Sequence, residues 1–161
     1  MMICFVRNRL AILTLVISSL SAIPLGATAQ QGSPPPFQMV VLSKYDFSDT
    51  LALLKAAIES ENLMLIKEID PQQMLRLVGV NPNGMRQLLF FHPRFMKRIM
   101  EANPHATLEP PLKVVVMEAP QGKAIVKYVK PSAIFSRYEG LAALAQELDT
   151  LLARIVANVQ Q

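Results

Sequence analysis

Cysteine and glycine are scarce in this 161-residue chain, and each scarcity removes a class of chemistry. The one cysteine, Cys4, stands near the amino terminus, inside a segment that reads as cleaved. The remaining chain then has neither a disulfide nor a thiolate metal site, and its stability must come from packing. The six glycines build no Gly-rich phosphate loop, and no serine sits in a Gly-x-Ser-x-Gly elbow. Enzyme classes that depend on those motifs have no footing here. The apolar run at residues 10–23 (LAILTLVISSLSAI) is 14 residues long, short of the roughly 20 that a membrane-crossing helix needs.

What is present around that run has the order of an export signal. Arg7 and Arg9 precede it, and Ala27-Thr28-Ala29 after it fits the small-x-small cleavage rule. Residues 1–29 are therefore expected to be a cleavable signal peptide. Pro24 and Gly26 break the run before the cleavage point, which disfavours an uncleaved anchor. Asn8 separates the two arginines, so this is no twin-arginine signal. A Sec-type route and a periplasmic or secreted product are expected. No cysteine stands at the cleavage point to carry a lipid. Losing Arg7 and Arg9 takes Lys+Arg from 16 to 14 against 12 Asp+Glu, so the net charge falls from +4 to +2. That leaves little argument for nucleic-acid binding, which needs a concentrated basic face.

Residues 30–36 (QQGSPPP) read as a Pro-rich spacer, since consecutive prolines remove backbone donors and favour extended geometry. Residues 37–161 read as one domain. Residues 37–44 (FQMVVLSK) are short and rich in β-formers, a first strand. Asp46 or Ser48 then caps an amphipathic helix whose Leu51, Leu54 and Ile58 recur at helical spacing, ending near Ser60. Residues 63–69 form a second strand closed by Asp70-Pro71. Residues 72–80 are open between a helical turn and a loop, and Asn81-Pro82-Asn83-Gly84 is turn-like. Residues 86–91 make a third strand, and His92-Pro93 opens a minor helix to about Ala102. Residues 112–118 and 123–130 are strands joined by the Ala119-Pro120-Gln121-Gly122 turn. Tyr138, Leu141, Leu144, Leu148, Leu152, Ile155 and Val159 mark a long terminal helix. The expected fold is α+β, in the order β-α-β-β-β-β-α, a mostly antiparallel sheet with two main helices on one face. In residues 123–129, Ala124, Val126 and Tyr128 alternate with Lys123, Ile125, Lys127 and Val129. The second sheet face is therefore mixed, which suits a subunit interface or the floor of a ligand cleft.

The run LLFFHPRFMKRIMEANPHATLEPP (residues 88–111), then LKVVVMEAPQGKAIVKYVKP and the terminal amphipathic helix, resembles the domain-of-unknown-function 302 family. FSDTLALLKAAIESENLMLIKEID is similar to the opening of that family, and the likeness runs from about residue 37 to 158. The resemblance implies a small, often dimeric α+β fold and no activity, because no catalytic site comes with it. Phe91-His92-Pro93 departs from the small or polar residue usual before the family's turn, so the contribution of that turn is altered at His92.

His92 and His105 are the only histidines. With Glu101 or Glu109 they would make a metal or acid–base site, but a dependable metal site needs three or four converging ligands. The plainer expectation has His92 capping a helix and His105 in the following loop. Met96 and Met100 share a helical face that could hold copper(I), yet the other methionines are scattered among apolar stretches, as gap-filling thioethers are. Arg86, Arg94, Lys97 and Arg98 form a basic cluster whose alternation with Phe95, Met96, Ile99 and Met100 is that of a solvated helix over a core. The acids Asp46, Asp49, Glu59, Glu61, Glu68 and Asp70 flank the first helix and second strand; a glycosidase pair needs a set separation and opposed geometry that a sequence does not display, and helix-end electrostatics account for Asp46 and Asp49.

No catalytic, cofactor or metal residue is assigned, and no cofactor is expected. His92, His105, Arg94 and Tyr128 are the candidate ligand-site residues. The favoured function is a non-enzymatic ligand- or partner-binding module, the partner being a second copy of the chain or a small apolar or anionic ligand. Neither nucleic acid nor a permanent membrane span after cleavage is expected. The alternative is a small envelope enzyme or metal-binding protein with its site near His92 and His105.

Overall fold

Three prolines, Pro71, Pro93 and Pro131, each follow a strand by a single residue, and each starts a helix. The computed structural model describes residues 33–160, and the unit Ser33–Gln161 is compact in itself. The expected signal peptide, and residues 30–32 of the spacer, lie outside the described residues. The chain runs β1 (Gln38–Leu42), α1 (Phe47–Ser60), β2 (Met64–Ile69), α2 (Pro71–Leu77), β3 (Met85–Phe91), α3 (Pro93–Ala102), β4 (Leu112–Glu118), β5 (Ala124–Val129), α4 (Pro131–Phe135) and α5 (Ala142–Ala157). A 3-10 turn, Pro104–Leu108, follows α3.

This corrects the expected β-α-β-β-β-β-α order with two main helices. The fold is α+β with an antiparallel five-stranded sheet, but five α-helices interleave with its strands. The reason is capping chemistry. Proline at the first helical position sacrifices an N–H that has no intrahelical partner anyway. In α2 the Asp70 carboxylate also accepts from Gln72 N–H at 2.9 Å, and in α3 the His92 Nδ1 accepts from Arg94 N–H at 3.0 Å. In α4 the cap is tertiary, Asp149 of α5 accepting from Ser132 N–H at 2.8 Å. The terminal helix starts at Ala142 rather than Tyr138, because Gly140 turns through φ 80°, a conformation that glycine adopts without a Cβ clash.

The sheet order is β1-β5-β4-β3-β2, every neighbour antiparallel. One face carries Leu88, Phe90, Val114, Val116, Ala124 and Val126, all fully buried. Against it pack Leu54 and Ile58 of α1, Phe95 and Ile99 of α3, and Leu148, Leu152 and Ile155 of α5. The minor helix expected before β4 is thus a full contributor to the core. At one sheet edge Ser43 and Thr50 are buried and share a hydroxyl–hydroxyl hydrogen bond of 2.7 Å, so the junction of β1 with α1 leaves neither hydroxyl unpaired.

Candidate functional site

Strand alternation puts every second residue on the face away from the helices, and the register aligns these residues in rows. One row crosses the sheet as Leu42, Ile125, Met117, Met85. The next is Val40, Lys127, Val115, Gln87, Ile69. A third contains Lys113, Leu89 and Lys67. The face is apolar with lysines set into it. Val40 and Leu42 are exposed, and Val115, Met117, Ile125 and Val129 are half-buried.

At one end of β4 and β5 this face deepens into a cavity of about 420 Å³. Pro111, Val115, Val129 and Ile134 supply apolar wall, while Lys113, Lys127 and Glu109 bring the polar groups. Helix α4, started by Pro131, closes one side. Lys113 and Lys127 lie diagonally on neighbouring strands, since Lys127 stands opposite Val115, two residues from Lys113. Such diagonal neighbours lie about 7–8 Å apart, their Cβ atoms somewhat closer. Among the described residues neither lysine forms an ion pair. The Glu109 carboxylate is held by the Tyr138 hydroxyl, which donates to it. That bond, together with burial and the charge of Glu109, raises the pKa of Tyr138. Burial first, and the Asp149 carboxylate second, raise that of Tyr128.

The four candidates named from sequence do not form one constellation. Tyr128 borders this cavity but, standing opposite Val114 on the helix-bearing face, also lines a second cleft with Asp149 and Thr150, whereas Arg94 lines a separate cleft between α3 and α5 with Glu147, Thr150 and Arg154. There its guanidinium stacks on the Phe95 ring at 4.6 Å. His92 caps the start of α3, and His105 lies in the 3-10 turn beyond its end. A ten-residue helix, about 15 Å long, separates them. Among the described residues no group of three or more His, Cys, Asp or Glu side chains could hold a metal ion, and no helix is long and apolar enough to cross a membrane.

Neither Lys113 nor Ile134 stands out from sequence, Glu109 does so only as a partner of the histidines, and Lys127 only in the alternation of the last strand. That alternation shows a mixed face but not the end at which a wall rises. That wall depends on α4, whose five residues carry too little periodicity to read.

The family described as Domain of unknown function DUF302 matches residues 39–159. Among solved structures, the crystal structure of an uncharacterized conserved protein DUF302 from Bacillus stearothermophilus superposes with a TM-score of 0.71 at 18% identity. It covers 78% of this chain and 100% of that one. At that identity the likeness is one of fold. No curated protein matches the chain.

Proposed function

We propose, given that this chain belongs to the DUF302 family, that its domain is a non-enzymatic binding module for a small amphiphilic anion, working beyond the membrane to which residues 1–29 direct it. One observation carries the reading: two lysines that form no ion pair among the described residues lie diagonally adjacent in a largely apolar cavity, whose one carboxylate, Glu109, is engaged by the Tyr138 hydroxyl. Like charges at that spacing repel, and a carboxylate or sulfate between them converts the repulsion into two charge-assisted contacts. Pro111, Val115, Val129 and Ile134 would take the apolar body of the ligand. The size of the cavity suits it, since ligand sites commonly fall between about 300 and 1,000 Å³. A second copy of the chain is a poorer occupant of this face. A two-fold pairing opposes the same patch on both subunits, and this patch carries Lys67, Lys113 and Lys127.

The test is native mass spectrometry and calorimetry of the Ser33–Gln161 chain with dodecanoate, and with dodecanol as the neutral control. Dodecanoate is expected to form a one-to-one adduct, dodecanol to bind far less, and the K113Q/K127Q variant to lose at least about tenfold in affinity. A dodecanoate affinity that the double variant leaves unchanged, or no adduct with either probe, overturns the reading.

A further inference from the structure

Residues 71–84 (PQQMLRLVGVNPNG) contain one charge, Arg76, and no acid. They fold as α2 and the turn behind it, and they hold their large apolar side chains outward. Met74 is 67% exposed, Leu77 87%, Val78 74% and Val80 47%. Four such side chains within seven residues make a contiguous apolar tip, unlike the singly scattered apolar residues of an ordinary surface.

The tip is built rather than frayed. At its base the buried Gln72 accepts from the Arg86 guanidinium at 2.7 Å and from Met85 N–H at 3.3 Å, and its amide donates to the Pro82 carbonyl at 3.3 Å. Arg86 in turn pairs with Asp70 at 2.9 Å and with Glu68 at 3.4 Å. At its crown the backbone satisfies itself: Val78 and Val80 N–H both donate to the Leu75 carbonyl, and Gly79 N–H donates to that of Arg76. A segment entering a medium without water must have its N–H groups paired internally, and these are.

We infer that α2 is a lipid-docking tip, which places Met74, Leu77, Val78 and Val80 in the outer layer of an anionic bilayer surface and Arg76 among its head groups. Charge selects this occupant. A self-apposed pair of tips would set Arg76 against Arg76, whereas an anionic head-group layer accepts it. The insertion is shallow and reversible, as expected of four side chains on a two-turn helix.

The experiment is co-sedimentation of the Ser33–Gln161 chain with phosphatidylcholine vesicles and with equimolar phosphatidylcholine–phosphatidylglycerol vesicles. Starting at Ser33 keeps the apolar run of residues 10–23, which would bind lipid by itself, out of the assay. Preferential pelleting with the anionic vesicles is expected, with a loss of about tenfold or more in the L77D/V78D variant and a few-fold loss in R76Q. Both variants alter exposed side chains, so their thermal unfolding should match the parent and keep the comparison sound. K113Q/K127Q, altered at the ligand cavity, should pellet like the parent, and this separates the inference from the ligand reading. No pelleting with either vesicle overturns it, as does undiminished pelleting of L77D/V78D. A parent dimer that L77D/V78D converts to monomer would instead assign the tip to a second copy.

Discussion

Replacing Arg86 by methionine should unfasten the base of α2 while leaving the sheet intact. The guanidinium joins three side chains: Glu68 of β2, Asp70 at the α2 cap, and Gln72 inside α2, with a further bond to its neighbouring Met85 carbonyl at 2.7 Å. The side chains involved are 24–33% exposed, between the surface and the interior. Exposed ion pairs contribute about 0–1 kcal/mol, and removal of one partner from a buried pair costs about 3–5 kcal/mol. The expected loss for R86M is therefore about 2–3 kcal/mol. For a domain of this size, at about 3–4 °C per kcal/mol, the melting temperature should fall by roughly 6–12 °C. Urea unfolding followed by circular dichroism measures the loss, and the slope should stay unchanged, because the core is untouched. R86K keeps a charge but not the fork, so it should recover less than half. Amide exchange supplies the local readout, with residues 72–80 of R86M exchanging faster than those of α5. An R86M protein within about 0.5 kcal/mol of the parent, with α2 amides as protected as before, would refute the clamp.

Tyr128 and Tyr138 should ionise above the ordinary phenolic value of 10.0. With three tyrosines and no tryptophan, absorbance near 295 nm reads them directly, and Y128F and Y138F assign the late steps. Because these folded-state pKa values are raised, their contribution is intact below pH 10 and is lost as the pH climbs through the folded values. Stability should therefore drop on the alkaline side and drop less in Y128F. The Glu61 carboxylate is held below its usual 4.5 chiefly by the Arg154 fork, whose two N–H groups donate at 2.8 Å each. The contribution of this group is present above about pH 4.5 and fades as acid protonates the folded form, so E61Q should show a shallower acid limb in thermal melts against pH. Leu148, fully buried under the sheet, should cost about 2–5 kcal/mol on change to alanine, measured by denaturant unfolding.

The strands were legible because their side chains carry the signal locally. LKVVVME spans β4 to the residue, and residues 86–91 fall one short of β3. Helix α1 was equally plain, since Asp46 caps it and Leu51, Leu54 and Ile58 repeat along the face that is buried. The short helices were hidden for a physical reason. Seven residues in α2 and five in α4 give less than two turns of pattern, and the α4 cap comes from Asp149, distant in sequence. The cavity inherits that difficulty. Lys113 and Lys127 could be placed on the mixed face by alternation, but the wall of α4 beside them could not. His92 as a helix cap could be expected from His-Pro alone, and the structure puts it there.

Strand β1 bears on the order in which the chain acquires its structure. Among the described residues it pairs only with β5, Gln38 lying opposite Val129, 91 residues further on. Its end is then tied to the last residues of the chain, through the Ser43–Gln160 bridge and the bond from Lys44 N–H to the Val159 carbonyl. The first strand made is thus the last to find its neighbours. A nascent chain that has not yet produced β5 has an unpaired leading strand, and one that lacks α5 has a sheet face covered by α1 and α3 alone, so closure must wait for nearly complete synthesis. Until β5 is made, both edges of that leading strand stay open to pairing with another chain, a hazard that only the late segments of the same polypeptide remove.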